Sequence, residues 1–379
     1  MKYYMPTEII FGAGTIGELG RILGRRPRFS RPLLVTDKGV EAAGIASKVL
    51  QQAVPAGVFD EIEPNPKHTT VDRGGELART LMPDLVIGLG GGSVLDAAKA
   101  IALLATNSGR IEDYEGREKY REAPLPVLAI PTTCGTGSEV TWVSIITHTG
   151  RRTKMSIKGP LMYPAVALVD PDLLMTLPLH LVASTGFDAL THAIEAYTAK
   201  PATVFTDTLA LEALRLIFRS LPEAYPDIRK KPTSREELML GSVLAAMAFV
   251  NSDVGAVHCL AESIGALYDT PHGVANAVLL PFVMEFNREA AEAKYARIAA
   301  LSGIEARDQE EAAALLIQKI QVFSRALSIP KFKDLGIPDC DFELIAQKSF
   351  ENNSNPSNPR EAKAEDYLAI LRRATLATR

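Results

Sequence analysis

The chain has 379 residues, of which 47% are hydrophobic and 23% charged, and its formal net charge at pH 7 is -4. This length exceeds one ordinary domain, and the composition is that of a globular protein. No basic block favours nucleic-acid binding. The first ten residues lack the apolar core of a signal peptide, and the three cysteines show no C-x-x-C spacing. We therefore expect reduced thiols, a cytoplasmic location and no membrane span.

The first half of the chain alternates short apolar runs with helical patterns. The apolar runs fit buried parallel strands and occupy residues 32–37, 84–90, 127–133 and 165–171. The helical patterns occupy residues 44–54, 70–81 and 93–106. This alternation predicts an α/β domain with a parallel sheet, which we assign to residues 1–180.

The second half has a different character, because β-branched runs almost disappear after residue 186. Helical patterns occupy residues 184–199, 207–221, 235–251, 254–268, 288–302, 308–327 and 363–378. They predict an all-α domain over residues 181–379. A cleft between the two domains is the default position for a binding site.

Two glycine-rich turns compete as the binding site for the phosphates of a dinucleotide. Residues 12–17, "GAGTIG", match G-x-G-x-x-G, and Asp37 lies twenty residues further on, where an acid that binds the ribose is expected. Residues 88–92, "GLGGG", follow a buried run, and Ser93 would cap the helix that begins there. The alternative for either turn is a tight strand–helix connection without a ligand.

A hydroxyl-rich loop, "PTTCGTGSEVT" at residues 131–141, follows the third apolar run. Hydroxyl groups at the carboxyl end of a strand suit phosphate, ribose or amide groups, although Ser and Thr are also common in ordinary turns. The loop is therefore another candidate contact for a nucleotide. Its candidate side chains are Thr132, Thr133, Thr136 and Ser138.

Four residues of the helical half have the types and spacing of a metal site. Asp188 and His192 lie four residues apart, hence on one helix face, and His258 and His272 follow in strongly apolar segments. The alternative is three hydrogen-bonded core histidines. A carboxylate and three imidazoles together favour a metal, either Fe(II) or Zn(II), which this donor set does not distinguish.

Four segments give the chain a family likeness: "GGGSVLDAAKA", "PTTCGTGSEVT", "GFDALTHAIEAY" and "VHCLAESIGALYDTPHGVANAVLLP". In this order and spacing they resemble the iron-containing (type III) alcohol dehydrogenases. The likeness extends from "FGAG" near the start to "NPREAKAEDYLAIL" near the end. It implies a Rossmann-like NAD(P) domain, a helical metal domain and an active site between them.

The resemblance also implies roles for individual residues. The metal ligands would be Asp188, His192, His258 and His272. Asp37 would accept a hydrogen bond from the ribose 2′-hydroxyl of the adenosine and repel a 2′-phosphate, which favours NAD over NADP. Residues 12–17 then become a structural turn. The remaining cofactor contacts would be Asn65, Gly91, Gly92, Ser93, Asp96, Thr132, Thr133, Thr136, Ser138 and Lys154.

One position departs from the family pattern V-H-x-x-A-H, since this chain has Glu262 where many members have a second histidine. Glu262 shares a helix face with His258 and is a candidate catalytic residue, with a solvated or salt-bridged helix carboxylate as the alternative. Substrate preference and any proton relay through this position cannot be copied from the family.

These features together predict a metal-dependent, NAD(H)-linked alcohol dehydrogenase or aldehyde reductase that acts on a small molecule. Glycerol dehydrogenase-like and maleylacetate reductase-like enzymes are alternatives on the same scaffold. A dehydroquinate synthase-like lyase is a remote alternative, because residues 184–285 offer few basic residues near the histidines. The complete metal set disfavours a non-catalytic nucleotide-binding module. Members of the family are commonly dimers or larger, so a homo-oligomer is expected.

Overall fold

The computed structural model describes residues 1–26 and 28–377. Internal contacts divide the chain into two units. One unit comprises Met5–Leu177, and the other comprises Met1–Tyr4 together with the chain from Pro178 onward. We call them the sheet unit and the helical unit.

The sheet unit contains a six-stranded parallel sheet and a small three-stranded sheet. The strands are β1 (Glu8–Phe11), β2 (Pro32–Val35), β3 (Gly57–Phe59), β4 (Leu85–Gly90), β5 (Gly116–Arg117), β6 (Val127–Pro131), β7 (Val143–His148), β8 (Thr153–Lys158) and β9 (Val166–Val169). The large sheet has the order β1-β9-β6-β4-β2-β3, and the small sheet has the order β5-β8-β7. The predicted α/β class with a parallel sheet is confirmed.

Helices cover both faces of the large sheet. They are α1 (Leu19–Gly24), α2 (Lys38–Ala42), α3 (Ile45–Leu50), α4 (His68–Leu81) and α5 (Gly92–Thr106). Successive residues of β4 point to opposite faces, so Val86 joins one apolar core and Ile87 joins the other. This two-sided burial explains why the strands are continuously apolar in the sequence.

The helical unit contains no strand among the residues that the structure describes, which confirms the predicted all-α class. Its helices are α6 (Leu179–Thr198), α7 (Val204–Ala224), α8 (Pro232–Ser252), α9 (Ala256–Tyr268), α10 (His272–Leu301), α11 (Gln309–Ala326), α12 (Phe342–Phe350) and α13 (Ala364–Leu376). Helix α6 packs against α7, α8 and α10. Asp308 caps α11 by accepting a hydrogen bond from the Glu311 backbone N–H at 2.8 Å, as its position before the apolar pattern indicated.

Some element boundaries differ from the sequence prediction. The predicted helix 288–302 is only the end of α10, which begins at His272 and continues through Pro281. Tertiary packing explains this continuation, since the neighbouring Leu280 and Val283 are fully buried. The predicted helix 44–54 is shortened to α3, which follows its N-cap Gly44, at φ 73°, and ends at Leu50, and the separate helix α2 precedes it. The β7–β8 pair and α12 were not predicted.

No single helix among the described residues is both long and apolar enough to cross a membrane. Helices α8 and α9 meet the length and composition criteria only when counted together, and they are bent by 100° at their junction.

Candidate metal centre and cofactor-binding residues

The four predicted metal ligands converge within the helical unit. Asp188 and His192 lie on one face of α6, His258 lies in the first turn of α9, and His272 begins α10. The Nε2 atoms of His192 and His258 are 2.9 Å apart. Asp188 Oδ1 lies 4.0 Å from His258 Nε2 and 3.8 Å from His272 Nε2. Donor atoms of Asp188, His258 and His272 all lie within 4.8 Å of one another, and His192 joins this group through its contact with His258. Three helices that are distant in sequence therefore bring these side chains together.

These separations suit a single ion. Ligand atoms bonded at about 2.0–2.2 Å to one tetrahedral ion lie roughly 3–4 Å from each other. Asp188, His192 and His258 are almost completely buried, at 1%, 4% and 3% exposed, whereas the His272 side chain is partly exposed. Buried carboxylate and imidazole groups facing one point, with one partly open side, are the arrangement of a catalytic metal site.

Burial and charge act in opposite directions on these groups. Burial raises the pKa of Asp188, but the three facing imidazoles and the Asn276 amide outweigh it, so the pKa lies below its usual value. Burial lowers the pKa of His258, but the carboxylates of Glu195 and Asp188 outweigh it, so this pKa is raised. The protein thus surrounds this position with charges that favour an anionic Asp188 and a cation beside it.

Asn276 also belongs to this cluster, and the sequence analysis missed it. Its Nδ2 donates a hydrogen bond to Asp188 Oδ1 at 2.6 Å and lies 3.2 Å from the Nε2 atoms of both His258 and His272. Asn276 is fully buried. Its spacing of four residues from His272 on α10 is a signal that could have identified it.

Glu195 is a second residue that the sequence analysis missed. It lies three residues after His192 on α6, and its carboxylate accepts hydrogen bonds from Nδ1 of His258 and, at 2.8 Å, from the backbone N–H of Val257. The spacing from His192 places both side chains on one helix face, which is the signal that could have indicated it.

Glu262 lies one turn after His258 on α9 and is half-buried. Its Oε2 accepts a hydrogen bond from Asn352 Nδ2 at 2.7 Å. Its charge contributes to raising the pKa of His258, although less than Glu195 and Asp188 do. In the part of the chain that the structure describes, this carboxylate is thus hydrogen-bonded to a neutral amide.

The second glycine turn and the hydroxyl-rich loop are adjacent in the sheet unit. A Cβ added at Gly92 would lie 2.4 Å from Thr136 Cγ2, and one added at Gly91 would lie 3.1 Å from Thr133 Cγ2. The Thr132 N–H donates to the Gly90 carbonyl at 3.0 Å. Glycine suits this turn because the Thr133 and Thr136 side chains approach its backbone so closely.

One sequence expectation about this turn is wrong. Ser93 does not cap α5, because the helix already begins at Gly92 with Gly91 as its N-cap, and no side chain caps it. Since Ser93 lies within the first turn, its backbone N–H is among those that have no partner inside the helix. Such free amides at a helix N-terminus are suited to an anion.

Asp96 and Ser138, both predicted cofactor contacts, bind each other: Ser138 Oγ donates to Asp96 Oδ1 at 2.5 Å. The other Asp96 oxygen accepts from the Ile145 N–H at 3.0 Å. Lys154 Nζ donates to Asn65 Oδ1 at 2.9 Å, which joins two further predicted contacts. Asp96 therefore has a structural partner for each carboxylate oxygen.

Asp37 caps α2, where its Oδ1 accepts a hydrogen bond from the Val40 N–H at 2.9 Å. It follows β2 at the carboxyl end of the large sheet, the edge at which α/β proteins bind ligands. The side chain is only partly buried.

Backbone N–H groups of the first glycine turn, residues 12–17, are hydrogen-bonded within the protein. The Gly14 and Ile16 N–H groups donate to the two carboxylate oxygens of Asp170 at 3.0 and 3.1 Å. Gly14 adopts φ 78°, which favours glycine. These bonds support a structural turn at residues 12–17 in place of a phosphate site.

A second group of possible ligands, His68, Glu112 and His148, lies in the sheet unit and was not predicted. His148 Nδ1 accepts from the Arg151 N–H at 3.1 Å, and its Nε2 lies 2.7 Å from Glu112 Oε2. The two imidazole rings are stacked at 4.3 Å and 10°. Both nitrogens of His148 already have partners, and parallel rings do not direct their lone pairs to one ion, so hydrogen bonding and stacking account for this group.

Fold and site together define a class: a dehydrogenase scaffold with a parallel α/β unit and a helical unit that contains an Asp–His–His–His set. The chain matches the model "Iron-containing alcohol dehydrogenase" over residues 6–171 and the model "Fe-containing alcohol dehydrogenase family, C-terminal" over residues 182–375. The chain belongs to the iron-containing alcohol dehydrogenase family. It is an NAD-dependent, metal-dependent alcohol dehydrogenase or aldehyde reductase.

Individual relatives agree with this assignment. The chain is 38% identical over 379 residues to Alcohol dehydrogenase 4 of Saccharomyces cerevisiae (strain YJM789), with 98% of each chain covered. It is 36% identical over 380 residues to the NAD-dependent methanol dehydrogenase of Bacillus methanolicus, with 98% of this chain and 99% of the relative covered. A solved structure of 1,3-propanediol oxidoreductase superposes with a TM-score of 0.93 at 38% identity, covering 98% of this chain and 99% of the other.

Proposed function

We propose that Asp188, His192, His258 and His272 hold one divalent metal, Fe(II) or Zn(II), beside which a small primary alcohol or aldehyde reacts. The observation that supports this proposal is the cluster of donor atoms from Asp188, His258 and His272, with His192 Nε2 at 2.9 Å from His258 Nε2. When bound, the metal supplies Lewis acidity and NAD accepts or donates the hydride. The similar proteins named for methanol and 1,3-propanediol act on primary alcohols, which supports that substrate class here.

The residues of this chain contribute position and charge. Asp188 brings the one carboxylate to a donor set whose other three members are imidazoles, and it is itself buried. Glu262 is our candidate for accepting the alcohol proton on a carboxylate oxygen, because it is half-buried and one helical turn from His258. Asn352 donates to Oε2 and would orient that carboxylate.

We further propose that residues 1–180 bind NAD and residues 181–379 bind the metal. The pyrophosphate is assigned to the start of α5, where a glycine turn meets the hydroxyl-rich loop. Asp37 at the carboxyl end of β2 favours NAD over NADP. The full set of proposed cofactor contacts is Asp37, Asn65, Gly91, Gly92, Ser93, Asp96, Thr132, Thr133, Thr136, Ser138 and Lys154.

A homo-oligomer, dimer or larger, in the cytoplasm completes the proposal. Among the described residues no cysteine forms a disulfide, and Cys134 and Cys259 are buried, which suits a reducing compartment.

The metal assignment is tested by His272→Ala, with His180→Ala as the matched control. His180 is an exposed histidine on α6 that lies outside the donor cluster. We expect His272→Ala to lose bound metal, measured by elemental analysis, and to lose NADH-linked turnover of primary alcohols by at least 100-fold, while NADH binding by fluorescence is retained. His180→Ala should match the parent chain. Full metal content and turnover in His272→Ala would refute the ligand assignment. Adding Fe(II) or Zn(II) back to the chelated parent and measuring turnover shows which metal supports activity.

The cofactor assignment is tested by Asp37→Ser. Serine retains an N-cap oxygen for α2 and removes the carboxylate charge. We expect the preference for NAD over NADP to fall about tenfold or more, because repulsion of the 2′-phosphate is removed, while thermal stability changes little. Asp37→Ala, which loses both the cap and the charge, should change both properties. An unaltered cofactor preference in Asp37→Ser would show that Asp37 does not face the ribose.

A further inference from the structure

Glu195 is a buried carboxylate that joins α6 to the first turn of α9. Its Oε1 accepts from the Val257 N–H at 2.8 Å, and its Oε2 is hydrogen-bonded to Nδ1 of His258. The residue is only 5% exposed. A Cβ added at Gly255 would lie 3.1 Å from Oε1, so the backbone before α9 approaches this carboxylate closely. Each carboxylate oxygen therefore has its own partner on α9.

This arrangement determines which nitrogen of His258 has the proton. A carboxylate can only accept, so Nδ1 must donate to it, and in the neutral imidazole Nε2 is then unprotonated. Nε2 is the atom that faces His192 and Asp188. A lone pair at Nε2 is what a metal ligand requires.

We propose that Glu195 is a positioning residue that holds His258 in the Nδ1–H tautomer and aims its Nε2 lone pair at the metal. The inference rests on the proposed ligand set, to which it adds a residue outside that set. Glu195 touches neither substrate nor cofactor in this proposal and acts only through His258.

The substitution Glu195→Gln distinguishes this role from packing. Glutamine has almost the same shape, but its amide has one accepting and one donating end. The Val257 N–H can only donate, so it takes the amide oxygen, and the amide NH₂ then faces Nδ1 of His258. His258 must accept at Nδ1 and move its proton to Nε2, where the proton opposes a metal.

Asn358 provides a contrast at the same helix end. Its Oδ1 accepts from the Ala256 N–H at 3.2 Å and from Asn287 Nδ2 at 3.0 Å. It supports the start of α9, and the hydrogen bonds that the structure shows for it do not involve the His258 ring. Asn358→Ala therefore removes a hydrogen bond from the start of α9, while Glu195 still accepts from Nδ1 of His258 and sets its tautomer.

The experiment titrates the full-length chain, after chelation and removal of the chelator, with Co(II) and follows its visible absorption bands. Four proteins are compared: the parent, Glu195→Gln, Asn358→Ala and Glu212→Gln. Glu212 forms an exposed ion pair with Arg215 on α7 and controls for loss of charge alone. Thermal unfolding of each metal-free chain measures any general structural damage.

We expect Glu195→Gln to bind Co(II) about 10- to 100-fold more weakly than the parent and with altered band positions. Asn358→Ala should lose thermal stability but retain more affinity than Glu195→Gln, and Glu212→Gln should match the parent. Should Glu195→Gln fail to fold, Glu195→Ala serves, because it removes the acceptor that holds the Nδ1–H tautomer. Co(II) affinity should then fall several-fold, less than in Glu195→Gln since His258 can still adopt that tautomer, and parent-like affinity in Glu195→Ala would overturn the inference.

Two outcomes overturn the inference. Parent-like affinity and spectrum in Glu195→Gln would make Glu195 merely structural. A loss of affinity in Asn358→Ala equal to or greater than that in Glu195→Gln would assign the effect to the position of α9. Failure of the parent itself to bind Co(II) would instead overturn the proposed ligand set, so the two failures are distinguishable.

Discussion

At the scale of single residues, Glu139 is a buried carboxyl within the hydroxyl-rich loop. It is 2% exposed, and burial raises its pKa to about 7, although its own backbone N–H and Lys99 act in the opposite direction. Lys99 is also buried, and its Nζ donates to the Ser138 carbonyl at 3.1 Å and to Thr141 Oγ1 at 3.2 Å. A loop that is proposed to contact NAD thus contains one buried ionisable side chain, Glu139, and is hydrogen-bonded to another, Lys99.

The raised pKa of Glu139 predicts a pH-dependent stability. The ordinary glutamate pKa is 4.5, so between that pH and about 7 the folded chain retains a proton that the unfolded chain releases. The free energy of unfolding therefore falls as pH rises through this window, by on the order of 3 kcal/mol from this group. Glu139→Gln removes the effect, so its stability relative to the parent should increase between about pH 5 and about pH 8.

Urea unfolding at several pH values checks this prediction. Glu61→Gln, at an exposed carboxylate that is paired with Arg73 elsewhere in the sheet unit, serves as the control. A stability difference between Glu139→Gln and the parent that stays constant across the pH range would contradict it.

At the scale of elements, the contact between α6 and α10 depends on one glycine. A Cβ added at Gly273 would lie 2.4 Å from the backbone oxygen of Ser184 and 3.4 Å from Asp188 Cβ. Backbone atoms cannot move aside as a flexible side chain can. Gly273 therefore permits the approach that brings His272, its neighbour on α10, to Asp188 on α6.

Gly273→Ala should separate these helices. We expect a loss of about 1–3 kcal/mol in stability from overpacking, together with weaker metal binding because His272 moves away from Asp188. Gly186→Ala on α6 is the matched control, since its added Cβ would meet only the Leu221 side chain, at 2.5 Å. Denaturant unfolding and metal titration measure both effects, and unchanged metal affinity in Gly273→Ala would disprove the role given to this contact.

At the scale of the whole molecule, the two units have separate ligands in our proposal. All four metal ligands lie on α6, α9 and α10, and all proposed cofactor contacts lie between Met5 and Leu177. A ligand stabilises the structure that binds it. Each ligand should therefore protect its own unit from local opening.

Hydrogen exchange of the full chain, followed by mass spectrometry, tests this separation. Chelation should increase exchange in α6, α9 and the start of α10, whereas NAD+ should decrease exchange in residues 88–100 and 131–138. Protection of α9 by NAD+ alone, with no effect of chelation there, would contradict the assignment of the metal to the helical unit.

The sequence predicted the structure best where one local residue pattern determines the type of element. Buried strands such as Leu85–Gly90 are apolar on both faces, so they are visible in the sequence as continuous apolar runs. Helix boundaries were less predictable, because α10 continues through Pro281 by virtue of its buried neighbours, which no local rule shows. The cap predicted at Ser93 was also wrong, since helix α5 begins at Gly92, one residue earlier, and has no side-chain cap.

The sequence by itself determined the two fold classes and the family, because strand and helix periodicity and the residue types of the four key segments are local properties. It also named Asp188, His192, His258 and His272, since metal-binding residue types are recognisable one by one. Only the tertiary structure decided that three helices direct these side chains to one point. It also decided that Glu195 and Asn276 are hydrogen-bonded to the proposed ligands, because such bonds join residues that are distant in the chain, whereas their spacing from His192 and His272 indicates only a shared helix face.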